Sequence, residues 1–274
     1  MAPPQVCRPA PSTKLDQSLR SAKLCCMFPI RDHNPSGRIP FVTYGLIAVN
    51  VAVFVGYFGL FSNPQMLNMF FWDWALIPAR ISQGDGLGGF ATSMFLHGGI
   101  MHLLGNMLFL FIFGDNVEDE MGHLGYLGFY LASGFAAGLA QYITAPFSPV
   151  PMVGASGAIA GVMGAYLLLF PKAQVDILVI LIIIFKIITI PAWIMLALWL
   201  GMQFLGGFGT AADGGGVAYW AHAGGFVIGM LMALPLWLRR GGPRFWNRTH
   251  GHPPHPEARY DFKRTNVPRV RRRR

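Results

Sequence analysis

The sequence predicts an all-α polytopic membrane protein, and three observations lead to that prediction. Charged residues form only 12% of the 274-residue chain, whereas soluble domains carry about 25%. Hydrophobic residues form 53%, and the mean hydropathy is +0.45. Apolar runs long enough to cross a bilayer also recur along the chain. This composition excludes intrinsic disorder, a coiled coil and most soluble folds.

The apolar runs predict a bundle of six transmembrane helices. A helix needs roughly 20 apolar residues to cross a hydrocarbon core about 30 Å thick. The six runs cover residues 41–60, 95–113, 126–145, 155–170, 191–207 and 217–238. We therefore expect three parts: a largely disordered cytosolic tail over 1–40, a six-helix domain over 41–238, and a disordered, basic cytosolic tail over 239–274.

The basic residues predict how the chain is oriented. With six spans both termini share one side of the membrane, and 20 of the 21 Lys and Arg residues then fall on that side, with Arg80 on the other. Because cytoplasmic loops carry the excess of Lys and Arg, we expect both termini in the cytoplasm. The C-terminal tail holds twelve Lys and Arg against Glu257 and Asp261. Such a tail can bind nucleic acid, but no motif supports that function, so we expect no nucleic-acid partner.

Polar side chains at membrane depth are few and costly, so each is a candidate for function. His102 and Asn106 lie four residues apart and share one helix face. They form either a hydrogen-bonding pair between helices or part of a site. Ser156 lies between Gly154 and Gly157 at the start of the fourth run, where a serine can also serve as a helix cap.

Two glycine stripes predict that Ser156 meets His222. Gly225 and Gly229 fall on the helix face that His222 begins, and the helix of Ser156 carries a glycine face of its own. Small residues let membrane helices approach closely, so the two faces would bring a nucleophile to a general base. The glycines expected to pack near this site are Gly154, Gly157, Gly161, Gly225 and Gly229.

The depth of these two residues predicts the path of the chain between them. Ser156 and His222 must both start their spans from the outer face, which allows one crossing inward and one outward. The apolar run over 175–190, which contains Asp176 and Lys186, is therefore expected not to span. We expect a cytoplasmic loop or a segment lying on the membrane surface.

The sequence offers no metal site and no cofactor site. The three cysteines, Cys7, Cys25 and Cys26, all lie in the N-terminal tail and form no zinc-like clusters. A His-Glu-x-x-His motif is absent, and His97 and His102 are five residues apart, which is a poor spacing on a helix for one metal ion. An aspartyl intramembrane protease would need a second membrane aspartate, which is also missing.

The ordered set of these motifs resembles the rhomboid family of intramembrane serine proteases, in its bacterial form. The matching pieces are His97-Gly-Gly-Ile-Met-His102-Leu-Leu-Gly-Asn106, Gly154-Ala-Ser156-Gly, and Ala221-His222-Ala-Gly-Gly225 with Gly229. The resemblance runs from about Met27 to Leu238 and implies a six-helix, rhomboid-like bundle.

The resemblance also implies an activity and assigns roles to residues. Ser156 would be the nucleophile, His222 the general base, and His102, Asn106 and the Ser156 backbone N–H the groups that bind the oxyanion. The substrates would be transmembrane segments of other membrane proteins within the lipid bilayer. The expected location is a bacterial inner membrane, with the protein as a multi-pass component.

The chain departs from the family pattern in two places. Ala160 stands where many members carry an aromatic residue that packs on the catalytic histidine, and Tyr219 or Trp220 could fill that space. The first loop lacks the adjacent Trp-Arg pair of some members. Residues 1–26, upstream of the resemblance, are expected to be a disordered extension or to precede a true start at Met27.

Two other kinds of protein remain as alternatives. One is a catalytically inactive rhomboid-like protein that binds transmembrane clients; inactive relatives typically lack the Ser or the His, and both are present here. The other is a transporter, which would be expected to show internal repeats that this sequence does not have.

Overall fold

A computed structural model describes residues 25–34, 36–181, 184–209 and 217–254 of the chain. Predictions made for residues 1–24 and 255–274 concern segments outside these ranges. The strands are β1 (Cys25–Asp32), β2 (Gln174–Leu181) and β3 (Ile184–Pro191). The helices are α1 (Phe41–Tyr57), α2 (Pro64–Trp74), α3 (Pro78–Ser82), α4 (Gly89–Thr92), α5 (Ile100–Met121), α6 (His123–Thr144), α7 (Ser156–Leu169), α8 (Ala192–Gly209), α9 (Tyr219–Arg239) and α10 (Pro243–Thr249).

The six predicted spans correspond to the helices α1, α5, α6, α7, α8 and α9. Among the described helices, four are long and apolar enough to cross a membrane: α1 with the short 3₁₀ helix that follows it, α5, α8 and α9. Helix α6 is 22 residues long, and α7 is a shorter apolar helix of 14 residues. The predicted class of a helical polytopic membrane protein is thus confirmed.

Helix α7 forms the centre of the bundle. Every residue from Gly157 to Tyr166 is buried, and the helix packs against α5, α6 and α9. The outer helices instead expose large apolar side chains, such as Val55 on α1 and Leu205 and Phe208 on α8. Apolar surface of this extent fits contact with lipid chains rather than with water.

The described residues of the segment over 175–190 form two strands, where we expected a loop or a surface-lying segment. Strands β2 and β3 pair in antiparallel fashion, and β1 pairs with β2 to give the order β1-β2-β3. The strand β1 also falls inside the tail expected to be largely disordered. The sheet lies beside the end of α7 opposite Ser156, and we call this the sheet end of the bundle.

Asp176 ties the sheet together. It accepts hydrogen bonds from Arg31 at 2.9 Å, from Thr189 at 2.6 Å and from the His33 ring at 2.7 Å. Burial alone would raise the pKa of Asp176, but the bonds from Thr189, His33 and Arg31 outweigh it and lower that pKa to about 2. The carboxylate therefore stays charged in its place between β1 and β3.

Glu118, near the end of α5, fixes the start of α1. Its side chain accepts from the backbone N–H groups of Val42 and Thr43 at 2.9 and 2.8 Å, and from the Thr43 hydroxyl at 2.7 Å. First-turn N–H groups have no partner within their own helix, so a carboxylate supplied by another helix satisfies them. The His123 ring lies 2.6 Å from the same carboxylate.

The segments on either side of the bundle meet at the sheet end. Arg38, before α1, lies 3.5 Å from Asp119, and Arg240, after α9, lies 2.8 Å from Glu120. The Trp246 indole on α10 donates to the Leu168 carbonyl at 2.9 Å. Both flanking segments therefore lie on one side of the bundle.

The loop between α1 and α5 is anchored at two points. Leu76 and Met152 exchange two backbone hydrogen bonds of 3.1 and 2.8 Å. The Arg80 guanidinium lies 5.0 Å from the centre of the Trp72 ring and donates to the Trp72 carbonyl. Although the sequence lacks an adjacent Trp-Arg pair, the fold brings a tryptophan and an arginine together in this loop.

Candidate active site

Ser156 is the first residue of α7, and Gly154 shapes the turn that precedes it. Gly154 has φ +129°, a conformation that side-chain-bearing residues rarely adopt, and its N–H donates to the Ser93 carbonyl at 2.9 Å. The N-cap position is held by Ala155, with no side-chain cap. The hydroxyl of Ser156 is therefore not used as a helix cap, the structural role considered above.

Glycines bring α7 and α9 into backbone contact. A Cβ atom added to Gly225 would lie 2.3 Å from the Gly157 carbonyl oxygen, and one added to Gly229 would lie 2.3 Å from the Gly161 Cα atom. No side chain fits at such distances, so the close approach requires glycine at both positions. The two helices thus meet along the faces that begin with Ser156 and His222.

The hydroxyl of Ser156 and the ring of His222 are in hydrogen-bond contact. His222 Nε2 lies 2.7 Å from Ser156 Oγ. Both residues are only partly buried, so the pair is accessible from one side. A hydroxyl bonded to an imidazole nitrogen at this distance is the arrangement that general-base activation of a nucleophile needs.

Two residues of α8 complete the surroundings of His222, and sequence reasoning missed both. Gln203 Oε1 lies 2.9 Å from His222 Nδ1, and the Trp199 ring centre lies 5.7 Å from that of His222. The residues are four apart and so share one face of α8. Gln203 is an isolated polar residue in the fifth apolar run, which is the signal that could have found it.

Trp199 packs beside His222, a place for which the sequence left Tyr219 and Trp220 open as candidates. Ala160 is fully buried in α7. The Trp220 ring instead packs on Phe204 and Phe208 of α8. An aromatic neighbour of His222 therefore comes from α8, a helix that the sequence did not single out for this role.

Asn106 and His102 of α5 line the same cavity as Ser156. Asn106 is 8% exposed, and its Nδ2 is buried without a hydrogen-bond partner among the residues that the structure describes. The Gly98 N–H donates to His102 Nδ1 at 3.3 Å, so in the neutral ring the proton is on Nε2. That Nε2 faces Gly154, where an added Cβ would lie 2.8 Å from it and 3.4 Å from Ser156 Oγ.

A cavity of about 520 Å³ joins these groups. Its lining includes His102, Asn106, Gly154, Ser156 and His222. His97 is not part of the lining; its ring is fully buried behind that of His102, with the two ring centres 5.1 Å apart. The hydrogen-bonded pair of Ser156 and His222 and the N–H donors of Asn106 and His102 thus line the same cavity.

Within the described ranges, no group of three or more His, Cys, Asp or Glu side chains is arranged to hold a metal ion. The cavity lining itself offers a hydroxyl, imidazole rings and neutral N–H donors. This set fits acyl transfer at a carbonyl, in which an oxyanion develops beside the attacking oxygen.

Comparisons with known proteins point in the same direction. A sequence profile described as the Rhomboid domain matches residues 85–239, which is more than half of the chain. Rhomboid protein 1, mitochondrial, of Saccharomyces cerevisiae is 29% identical over 196 residues, covering 69% of this chain and 51% of that protein. Rhomboid protease GluP of Bacillus subtilis is 37% identical over 130 residues, covering 47% of this chain and 24% of that protein.

A plant relative extends the range of organisms. RHOMBOID-like protein 6, mitochondrial, of Arabidopsis thaliana is 38% identical over 97 residues, covering 35% of this chain and 29% of that protein. The chain therefore spans between 24% and 51% of the length of these three relatives.

Proposed function

Because the chain belongs to the rhomboid family, we propose that it is a serine endopeptidase that cleaves transmembrane segments of membrane proteins within the bilayer. In this proposal Ser156 is the nucleophile and His222 the general base. The observation that carries it is the 2.7 Å contact between Ser156 Oγ and His222 Nε2 at the wall of the cavity.

The first step forms the acyl-enzyme. As Ser156 Oγ attacks the scissile carbonyl carbon, His222 Nε2 takes the hydroxyl proton, and a tetrahedral intermediate with a negative oxygen forms. The imidazolium then gives its proton to the leaving amine, and the peptide C–N bond breaks. In the second step a water molecule, activated by the same nitrogen, attacks the ester and releases Ser156.

The negative oxygen needs donors that are already in position. We assign this role to Asn106 Nδ2, to His102 Nε2 and to the backbone N–H of Ser156. The lack of a partner for Asn106 Nδ2 in the described part of the chain supports this assignment, because a buried donor without a partner costs about 1–3 kcal/mol. A ligand oxygen that accepts from it would recover this free energy.

The substrate must expose a carbonyl to the cavity. A peptide bond inside a transmembrane helix is shielded by its own hydrogen bonds, so the helix has to unwind locally. Segments with small or helix-breaking residues near the outer boundary of the membrane should therefore be preferred. The multi-pass protein itself is proposed to lie in a bacterial inner membrane with both termini in the cytoplasm, although two relatives carry mitochondrial names.

The test uses detergent-purified full-length protein and a fluorescent reporter with a single transmembrane segment. Wild type should cleave it and should react with a fluorophosphonate probe, whereas Ser156→Ala and His222→Ala should do neither. Ser62→Ala, at an exposed serine outside the cavity, is the matched control and should behave as wild type. Cleavage by Ser156→Ala at the wild-type rate would refute the proposal.

The same experiment addresses the alternative of an inactive client-binding protein. If wild type binds the reporter but neither cleaves it nor reacts with the probe, the family membership stands and the protease assignment fails. The presence of both Ser156 and His222 in hydrogen-bond contact favours the protease.

A further inference from the structure

We propose that Gln203 is a positioning residue that selects the tautomer of His222 required for it to act as the base. This inference rests on the proposed function and deepens it. It adds a residue of α8 to a mechanism whose other proposed participants lie on α5, α7 and α9.

The orientation of the Gln203 amide follows from its second contact. Its Nε2 lies 3.2 Å from the backbone carbonyl oxygen of Trp199, one helical turn earlier. A carbonyl oxygen can only accept a hydrogen bond, so the amide nitrogen must face Trp199. The amide oxygen is then the atom that faces His222, at 2.9 Å from Nδ1.

The orientation of the amide in turn determines where His222 carries its proton. An amide oxygen can only accept, so Nδ1 of the ring must donate and must hold the hydrogen in the neutral imidazole. Nε2 is left with its lone pair, and this is the nitrogen that lies 2.7 Å from Ser156 Oγ. The backbone carbonyl of Trp199 thus orients the Gln203 amide, and the amide in turn leaves Nε2 of His222 free to receive the Ser156 proton.

An uncharged acceptor suits this position in the membrane. Gln203 is 7% exposed and lies on a helix whose other faces carry exposed apolar side chains. A carboxylate there would carry a high desolvation cost, whereas an amide orients the ring without adding a charge. In soluble Ser-His-Asp triads the aspartate holds the histidine in the required tautomer. Gln203 would hold the tautomer of His222 in the same way.

Trp199 restricts the remaining freedom of the ring. The indole lies over the imidazole with the planes inclined at 31°, so the ring cannot rotate freely about the bond to its Cβ atom. Gln203 then chooses between the two tautomers of a ring whose plane is already fixed. Both contacts come from one face of α8, which makes the placement of that helix a condition for activity.

The test compares Gln203→Met and Gln203→Glu with wild type, and uses Met202→Leu on the lipid-exposed side of the same turn as the matched control. Methionine keeps the length of the side chain and loses the acceptor, whereas glutamate keeps an acceptor oxygen. We expect Gln203→Met to lower kcat by about 3- to 10-fold with KM unchanged, the range that the loss of one hydrogen bond implies. Met202→Leu should match wild type.

The second readout is the ¹⁵N NMR signature of His222 in protein labelled with ¹⁵N-histidine, assigned by its loss in His222→Gln. Wild type and Gln203→Glu should show a protonated Nδ1 and an unprotonated Nε2. Gln203→Met should show a mixture of tautomers. Loss of packing alone at position 203 would not change which ring nitrogen of His222 carries the proton.

The outcomes separate this inference from the proposed function. An unchanged tautomer signature in Gln203→Met, or a changed signature with unchanged kcat, would overturn the role of Gln203. Because the NMR signature needs no turnover, it still tests Gln203 if wild type proves inactive and the protease assignment fails. If Gln203→Met does not fold, Gln203→Asn, which withdraws the acceptor by one methylene, serves the same test.

Discussion

The indole of Trp199 covers the imidazole of His222, with ring centres 5.7 Å apart. The same indole stacks on Phe226, one turn further along α9, with ring centres 6.1 Å apart. An aromatic residue on α8 thus packs against two residues of α9, one of which is the histidine. The contact joins a helix with a lipid-exposed side to the residue proposed as the general base.

Replacing Trp199 should therefore reduce turnover. An aromatic pair contributes about 0.5–1.5 kcal/mol beyond its buried area, so we expect Trp199→Ala to lower kcat by about 2- to 12-fold and Trp199→Phe to lower it less. Trp193→Ala, at an exposed tryptophan on the same helix, is the control. Steady-state cleavage of the reporter measures the effect, and equal losses in the Trp199 and Trp193 variants would argue against a specific contact.

Removing the Asn106 amide should slow the chemical step. Loss of one oxyanion donor costs about 10²–10³ in kcat in a soluble serine protease, and we expect Asn106→Ala to approach that range while the fold persists. His102→Ala should act in the same direction. Asn68→Ala, at an exposed asparagine on α2, controls for the substitution itself. Unchanged turnover in both cavity variants would show that the pair only holds helices together.

Adding one methyl group between α7 and α9 should destabilise the bundle. Overpacking of a tight interface typically costs about 1–3 kcal/mol, and the Gly229 position leaves no space for a Cβ atom. We expect Gly229→Ala to lower the melting temperature in detergent. The control is Gly128→Ala on α6, where an added Cβ meets nothing within 4 Å. Equal melting temperatures for the two variants would contradict the close contact.

Asp32, at the end of β1, should make stability depend on pH. Burial, assisted by the charge of Asp115, raises the pKa of Asp32 from 3.8 to about 7, although hydrogen bonds from Tyr166 and Asn34 oppose the shift. The folded state then binds this proton more tightly than the unfolded state does. The free energy of unfolding should therefore fall as the pH rises from about 4 to about 7.

Removing this carboxyl charge should reverse the loss. The substitution Asp32→Asn keeps a side-chain oxygen that can accept from the Tyr166 hydroxyl, which donates to Asp32 at 3.2 Å. We expect this variant to melt at a higher temperature than wild type at pH 8 and at a similar temperature at pH 4. Asp73→Asn, at an exposed carboxylate on α2, should show no such difference. Equal shifts at both pH values would rule out titration of Asp32 as the cause.

Labelling of single cysteines should place the sheet in the cytoplasm. In a chain without its three natural cysteines, Lys186→Cys on β3 should react with a membrane-impermeant maleimide only after the cells are opened. Leu87→Cys, in the exposed loop before α4, should react from outside in intact cells. Labelling of position 186 from outside would overturn the proposed orientation and the common depth of Ser156 and His222.

The sequence predicted the helices and the meeting of α7 with α9 because local patterns encode both. Apolar runs of the right length mark helices, and the spacing from His222 through Gly225 to Gly229 marks a face. Gln203 and Trp199 escaped prediction because α8 is apolar on every side except at Gln203 itself, so no hydrophobic periodicity shows which face turns inward. Only the packing of the folded chain decides that rotation.

The sheet escaped prediction for a different reason. The run over 175–190 is rich in Ile and Val, which is typical of strands, but the shared depth of Ser156 and His222 excludes only a membrane span there and does not specify a structure. Its partner β1 lies far away in the chain, and no local pattern relates Pro29 to Ile177, with which it pairs. Pairing over such a separation depends on the helices that bring the strands together.

The separation between β1 and β2 has a consequence for the order of assembly during synthesis. Arg31 and Asp176 are 145 residues apart. At 5–20 residues per second, the ribosome therefore needs roughly 7–30 s after it has made β1 to reach β2. We expect closure of the sheet to wait until α7 has been inserted. Cysteines introduced at 28 and 178 in arrested chains should therefore cross-link only once translation has passed β2, and earlier capture of β1 by another segment would contradict this timing.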